Sequence, residues 1–227
     1  SNGKIKILQY TGDDTEVVIP NYIGGIPVGI IEFDPSKILF DPSADPNGPP
    51  PTPPVEHLFV NSNLITKVII SEGIETIGRY AFMGCNSLDS ITIPNTVIKI
   101  KDNVFNQCTS LKYIVLSENI DSIQDLTFNY CNKLDSIKIP DNITFIGNSA
   151  FRFCTSLKQI NIPQNLKKID TNAFEECTSL NKILIPNLTT WYNIDFISNP
   201  LTLESDLYLN NEKVIDDATL VAMTILI

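Results

Sequence analysis

The sequence predicts a right-handed solenoid of 23-residue repeats, mostly β-strand with short helical or 3₁₀ turns, and three observations support this prediction. Five phenylalanines recur at one fixed interval, a cysteine stands at the third position after each of them, and columns of Ile and Leu keep the same interval. A unit of this length cannot bury its apolar side alone, so it must stack on near-copies of itself. The recurring residues are Phe82, Phe105, Phe128, Phe151 and Phe174, with Cys85, Cys108, Cys131, Cys154 and Cys177.

Each repeat contains one short strand and one turn. The motif L-x-x-I-x-I, as in Leu88 to Ile93, alternates at its end and is rich in β-branched residues, which is typical of a strand. Small residues before most of the phenylalanines and polar residues after the cysteines favour a tight helical or 3₁₀ turn. Proline cannot donate to a ladder, so the prolines that follow four of the motifs are expected to end the strands. They are Pro94, Pro140, Pro163 and Pro186.

The repeat wording IGxxAFxxCxSLxxIxIP resembles leucine-rich repeats, and within them the BspA-like subfamily of surface proteins. The resemblance covers Ile74 to Pro186 closely and the flanks loosely. It implies a leucine-rich repeat solenoid. Because members of that family are associated with adhesion and host interaction, it also implies an extracellular or cell-surface location.

The chain is predicted to form one continuous solenoid domain with four segments. Residues 1–40 read as a degenerate, capping first repeat in which Gly24 and Gly25 make a hairpin-like turn. Residues 41–61 are a proline-rich insertion, interpreted as an extended, solvated loop. The repeat array occupies residues 62–187, as half a repeat followed by five full ones. Residues 188–227 form a variant C-terminal unit.

That C-terminal unit contains the single tryptophan of the chain, Trp191. The segment W-x-x-I-D-F that begins there is similar to a variant unit of BspA-like proteins. Trp191 is expected to plug the end of the stack, and the alternative is that Trp191 and Tyr192 form a stacking platform for a glycan. A hairpin is predicted around Asn210-Asn211, and a final strand from Leu220 to Ile227.

Charge restricts the classes of partner. The net charge of −10 and the pI near 4.5 exclude nucleic acid, whose binding requires clustered Lys and Arg, and disfavour an anionic membrane surface. The apolar C-terminal stretch is far too short to span a bilayer, so no membrane insertion is expected.

The five cysteines are predicted to be buried thiols. An odd number cannot pair fully within one chain, and all five occupy one column, where every bridge would need the same strained geometry. They are interpreted as small hydrophobes. A ladder also spreads its members along the stack, so no metal site is expected.

The sequence contains no constellation typical of an enzyme. Its single histidine, His57, lies beside the proline-rich insertion and outside the repeating columns, where a solvated loop residue is the simpler interpretation. Phosphate-binding glycine motifs, H-E-x-x-H and EF-hand loops are not found in the sequence. We therefore expect a non-enzymatic protein without a catalytic residue or cofactor.

The outward positions of the strands are the candidate contact surface, because alternation points them away from the core. One outward row alternates in charge (Asp89, Lys112, Asp135, Lys158) and is expected to fix register by cross-strand pairs. A protein partner contacting the strand side is the first hypothesis, since aromatic anchors within a polar rim are typical of protein contacts. The expected contact residues are Thr92, Tyr113, Val115, Lys138 and Asn161.

Overall fold

The computed structural model describes residues 5–7, 15–23, 26–31, 59, 63–197, 206–209 and 212–215. Over these residues the chain winds into a solenoid whose successive coils follow one another at the predicted interval, which confirms the predicted fold class. Each coil contributes a longer strand, a two-residue strand and a turn. The proline-rich stretch apart from Phe59, His57, and the segment Leu220–Ile227 lie outside the described residues.

The longer strands pair in parallel and form one side of the solenoid, called the strand face below. Their alternating burial follows the predicted motif, with the two strand isoleucines of each coil inside and the residue between them outside. The strands are β2 (Glu16–Ile19), β5 (Lys67–Ile70), β7 (Ser90–Thr92), β9 (Tyr113–Val115), β11 (Ser136–Ile137), β13 (Gln159–Asn161), β15 (Lys182–Ile185) and β17 (Asp206–Leu209).

The two-residue strands, with longer members at the N-terminal end, form a second parallel side, called the short-strand face. It runs through β1 (Ile5–Ile7), β4 (Ile26–Ile31), β6 (Thr76–Ile77), β8 (Lys99–Ile100), β10 (Ser122–Ile123), β12 (Phe145–Ile146), β14 (Lys168–Ile169) and β16 (Asp195–Phe196). Hydrogen-bonded pairing lapses once on each face, between β9 and β11 and between β8 and β10. Both lapses fall between the same two coils.

The third side consists of turns joined by a ladder of their own. Isolated i→i+3 hydrogen bonds of the 3₁₀ type occur, such as that from Cys108 N to Phe105 O, but a continuous 3₁₀ helix is absent from the described turns. Each full coil instead has two residues with positive φ, four positions apart, and most of them are not glycine. Amide groups of one turn donate to carbonyls of the next, as from Gln107 N to Asn129 O at 2.7 Å. The positive-φ residues are Tyr80, Gly84, Asn103, Gln107, Leu126, Tyr130, Ser149, Phe153, Asn172 and Glu176.

A single hydrophobic core runs through the solenoid, with the phenylalanine column at its centre. Neighbouring rings of this column are stacked at centroid distances between 5.2 and 5.6 Å. Phe59 is its first member and stacks on Phe82, although the predicted boundaries place Phe59 inside the insertion at 41–61. The segment boundaries stay predictions.

The cysteine column lies beside the rings, and all five residues are buried thiols outside any disulfide, as predicted. Each Sγ also donates to the carbonyl of the phenylalanine in the preceding coil, for example from Cys108 to Phe82 O at 3.0 Å. Burial raises the pKa of the Cys108 thiol to about 12. The column therefore holds protonated thiols that link neighbouring coils, a role beyond that of a small hydrophobe.

Hairpins flank the array at both ends. Near the N-terminus β3 (Tyr22–Ile23) pairs antiparallel with β4, and Ile23 lies opposite Ile26, on either side of the predicted glycine turn. Near the C-terminus β17 pairs antiparallel with β18 (Glu212–Ile215), on either side of the predicted Asn210-Asn211 turn. The turn residues themselves lie outside the described part of the chain.

A short helix, α1 (Leu188–Tyr192), lies between the array and the C-terminal hairpin. The Asn187 side chain caps it by accepting from Thr190 N. The helix begins at Leu188, the residue at which the variant C-terminal unit is predicted to begin.

Candidate binding surface

Exposed apolar side chains form a row across four paired strands of the strand face. Val18 is opposite Ile69, Ile69 is opposite Thr92, and Thr92 is opposite Val115. The exposed fractions are 60% for Val18, 45% for Ile69 and 59% for Val115, and Thr92 is also exposed. Apolar side chains this exposed, and aligned on neighbouring strands, form a contiguous patch rather than scattered single residues.

Tyr113 widens this patch. It lies on the same strand as Val115, with the buried Ile114 between them, so period-two alternation points both outward. The tyrosine is 57% exposed. We call the five residues Val18, Ile69, Thr92, Tyr113 and Val115 the apolar patch.

Charges on the strand face are paired between neighbouring coils. Lys112 Nζ lies 2.8 Å from Asp89 Oδ1, and Lys158 Nζ lies 2.6 Å from Asp135 Oδ1, as the alternating row predicts. Hydrogen bonding to its carboxylate partner is the main cause that raises the pKa of each of these two lysines. Lys67 and Glu16 form a further pair at 3.1 Å beside the apolar patch. Within each of these pairs the two opposite charges offset each other.

The five predicted contact residues occupy two different environments. Thr92, Tyr113 and Val115 lie together in the apolar patch. Lys138 and Asn161 lie on the next two coils, and both side chains already have intramolecular partners. Lys138 Nζ is 2.8 Å from Glu118 Oε1. Asn161 accepts from Ile139 N and donates to Ile139 O, so its amide substitutes for ladder bonds of the neighbouring coil.

The fold does not demand the residues of the apolar patch. A residue that the coil requires recurs at the 23-residue interval, as the phenylalanines do, whereas the column of Tyr113 reads Ser90, Tyr113, Ser136, Gln159 and Lys182. The sequence alone does not identify Val18 as a member of the exposed row. Its partner Ile69 lies on the far side of the proline-rich insertion, well beyond the repeat interval, so the insertion hides its phase.

The two aromatic residues of α1, Trp191 and Tyr192, differ in solvent exposure. Trp191 is buried and packs on Phe196 with ring centroids 4.8 Å apart, at the C-terminal end of the core. Tyr192 is 56% exposed. The two rings therefore do not share one exposed platform, and Tyr192 is the member of the pair that a glycan could reach.

The described residues also bear on metal binding and membrane insertion. No three His, Cys, Asp or Glu side chains converge there as metal ligands would. The helix found in that part of the chain is too short to cross a membrane.

Comparison with known proteins assigns the repeats to a family. A family model described as a BspA type leucine rich repeat region matches six copies over residues 55–181, which is more than half of the chain. The chain belongs to this family. Its BspA-type repeats begin before Phe59, in agreement with the position of that ring in the core.

Solved structures of bacterial leucine-rich repeat proteins are similar to this BspA-type chain. The T. pallidum leucine rich repeat protein superposes with a TM-score of 0.67 at 26% identity, over 80% of this chain and 74% of that one. A leucine rich cell surface protein from Faecalibacterium prausnitzii is 35% identical with a TM-score of 0.54. That match covers 56% of this chain and 34% of the F. prausnitzii chain. No curated protein matches the sequence.

Proposed function

We propose that this BspA-type repeat protein is a non-enzymatic binding module that contacts a protein partner through the apolar patch. The observation that supports this proposal is the row of exposed Val, Ile and Thr side chains across four paired strands, with Tyr113 beside it. A rigid sheet presents these side chains with little loss of backbone freedom on binding.

The surroundings of the patch favour a protein contact. Ion pairs such as Lys112 with Asp89 and Lys67 with Glu16 border it, which gives an apolar centre with a polar rim. Tyrosine is also among the residue types that contribute most at protein interfaces. Because the Lys138 and Asn161 side chains already have intramolecular partners, we expect them to belong to this rim and to contribute less to affinity.

We also propose a secreted or cell-surface location, with adhesion as the process served. The similar F. prausnitzii protein is described as a cell surface protein, which supports this part of the proposal. Its greater length means that the present chain corresponds to a portion of that relative.

The test uses two tyrosines of nearly equal exposure at different places. Arrays of purified surface proteins and of glycans are probed with the wild-type chain, and the strongest ligand is then titrated against Tyr113→Ala and Tyr192→Ala. The proposal expects a protein ligand and a loss of about tenfold or more for Tyr113→Ala, as for an interface hot spot. Tyr192→Ala should bind as the wild type does, and Val115→Ala should be intermediate.

The reverse pattern supports the alternative. A glycan ligand whose affinity depends on Tyr192 and not on Tyr113 would contradict the proposed role of the strand face. Circular dichroism of both variants controls for folding, and neither side chain is part of the buried core.

A further inference from the structure

A groove lies on the strand face along β5 and β7, and it includes part of the apolar patch. Its volume is about 380 Å³, and Ile69 and Thr92 of the patch belong to its lining. These two residues are opposite each other on the paired strands, and both are exposed. The proposed contact surface therefore contains a concave site. The other described residues of the lining are Lys67, Val68, Ile70, Glu72, Ser90, Ile91 and Pro94.

The two charged residues of this lining differ in their partners. Lys67 Nζ lies 3.1 Å from Glu16 Oε2, so the charge of the lysine is offset within the chain. Glu72 is exposed, and its carboxylate has neither an ion pair nor a hydrogen bond with any residue in the described part of the chain. The lining thus carries one negative charge that the described residues do not compensate.

The repeat itself shows what a carboxylate at this position binds. Glu118 occupies the position of Glu72 two coils further along the chain. Its carboxylate pairs with Lys138 Nζ at 2.8 Å, and the two residues are 20 positions apart. The residue at the same offset from Glu72 is Thr92, which carries no charge. The coil therefore has room for a cation against this position, and at Glu72 the chain does not supply one.

We infer that the groove receives a lysine or arginine side chain of the protein partner, an inference that rests on the proposed function. The aliphatic stem of such a side chain packs on Ile69 and Thr92, because long basic side chains cover apolar surface in this way. Its cationic head pairs with Glu72 as Lys138 pairs with Glu118.

The charge of the chain favours a basic partner over a second copy of this protein. With a net charge of −10, two copies repel each other, whereas a basic segment is attracted and associates faster. A neutral partner would cover the Glu72 carboxylate without compensating its charge, which costs free energy when the contact excludes water. The groove therefore fits a cation on a partly aliphatic side chain.

The test selects binders from a displayed library of random short peptides on the wild-type chain. The most enriched peptide is then titrated against the wild type, Glu72→Gln and Glu176→Gln. Glu176→Gln is the matched control, because it removes the same charge at an exposed residue of the turn side on another coil. We expect lysine or arginine beside apolar residues in the enriched peptides. Glu72→Gln should lower the affinity about fivefold or more, and Glu176→Gln should lower it little.

A second peptide assigns the cation to Glu72. It carries norleucine in place of the basic residue, which keeps an aliphatic stem and removes the charge. This peptide should bind the wild type more weakly than its parent does, and it should bind the wild type and Glu72→Gln with similar affinity. A norleucine peptide that binds the wild type as tightly as its parent would contradict the pairing.

The inference is overturned if no peptide is enriched, or if the enriched peptides contain no more basic residues than the unselected library. A loss for Glu176→Gln as large as that for Glu72→Gln would also overturn it, since equal losses indicate general charge attraction. Tyr113→Ala separates this test from the proposed function. A ligand that requires Tyr113 and not Glu72 would support the proposed contact and contradict the basic side chain, whereas a peptide that requires Glu72 and not Tyr113 would support the groove and contradict the role proposed for Tyr113.

Discussion

The phenylalanine column allows a direct measurement of how much one coil contributes to its neighbours. Phe128 is fully buried and stacks on two rings, Phe105 at 5.6 Å and Phe151 at 5.3 Å. Truncation of such a residue to alanine removes its buried area and leaves a cavity, so Phe128→Ala should lower the free energy of unfolding by about 3–5 kcal/mol. Phe128→Leu retains most of the volume and should lower it by less.

Phe174 provides the matched comparison at the end of the column. Among the described residues it stacks on one ring, Phe151, and it is slightly more exposed than the interior members. The missing second ring contact is worth about 0.5–1.5 kcal/mol, so Phe174→Ala should be milder than Phe128→Ala by roughly that amount.

Urea unfolding checks both values, with Trp191 fluorescence and far-ultraviolet circular dichroism as two probes. Equal losses for the two alanine variants, or a loss below about 1 kcal/mol for Phe128→Ala, would refute the idea that the rings form one continuous core. Transitions that differ between the two probes would refute cooperative unfolding of the stack.

Four further predictions concern the thiols, one glycine and one turn. The buried thiols should resist iodoacetamide in the native protein and react on unfolding. Cys177, at the end of the column, should react first. Reaction at equal rates in native and unfolded protein would contradict this prediction. Since burial raises the pKa of Cys177 from 9.0 to about 12, the folded state retains protons that the unfolded state loses, and stability should fall as pH rises through that interval, measurable by urea unfolding at several pH values. Gly147→Ala should destabilise the protein and lower its melting temperature, because an added Cβ would lie 2.6 Å from Asp125 N; an unchanged melting temperature would show that the two coils can separate there. Gln107→Gly should raise the free energy of unfolding by about 1 kcal/mol, because Gln107 is exposed and has a φ of 62°, which glycine adopts without steric cost. Lys133→Gly is the control at an exposed position without positive φ, and it should lower the free energy of unfolding.

The features that the sequence predicts correctly are those that recur. Cys85 has four further copies in its column and Phe82 has five, counting Phe59, so their burial and register follow from the interval alone. The pairing of Lys112 with Asp89 follows from the same interval, because parallel coils bring equivalent positions side by side. Hairpin turns were predictable from local composition.

Features that depend on phase or on backbone conformation were not predictable. The insertion hides the offset that places Val18 beside Ile69. Phe59, by contrast, stands 23 residues before Phe82, so its place in the ring column does follow from the interval. Apart from Gly84, the left-handed residues of the described turns are not glycine, and tyrosine, glutamine and glutamate occur among them, so no glycine signal marks these positions. The row of outward residues includes Asn161, but only coordinates show that its amide is bound to the next coil.

Each coil of the solenoid is displaced from the previous one by the same distance along the axis. Removing or duplicating one whole repeat would rejoin equivalent ring and thiol neighbours, so the chain can change its length without redesigning its interior. Each such step would shift the two ends by one strand spacing, about 4.8 Å. Features placed on different coils, such as Tyr113 and the C-terminal hairpin, can thereby be set at chosen separations along the axis.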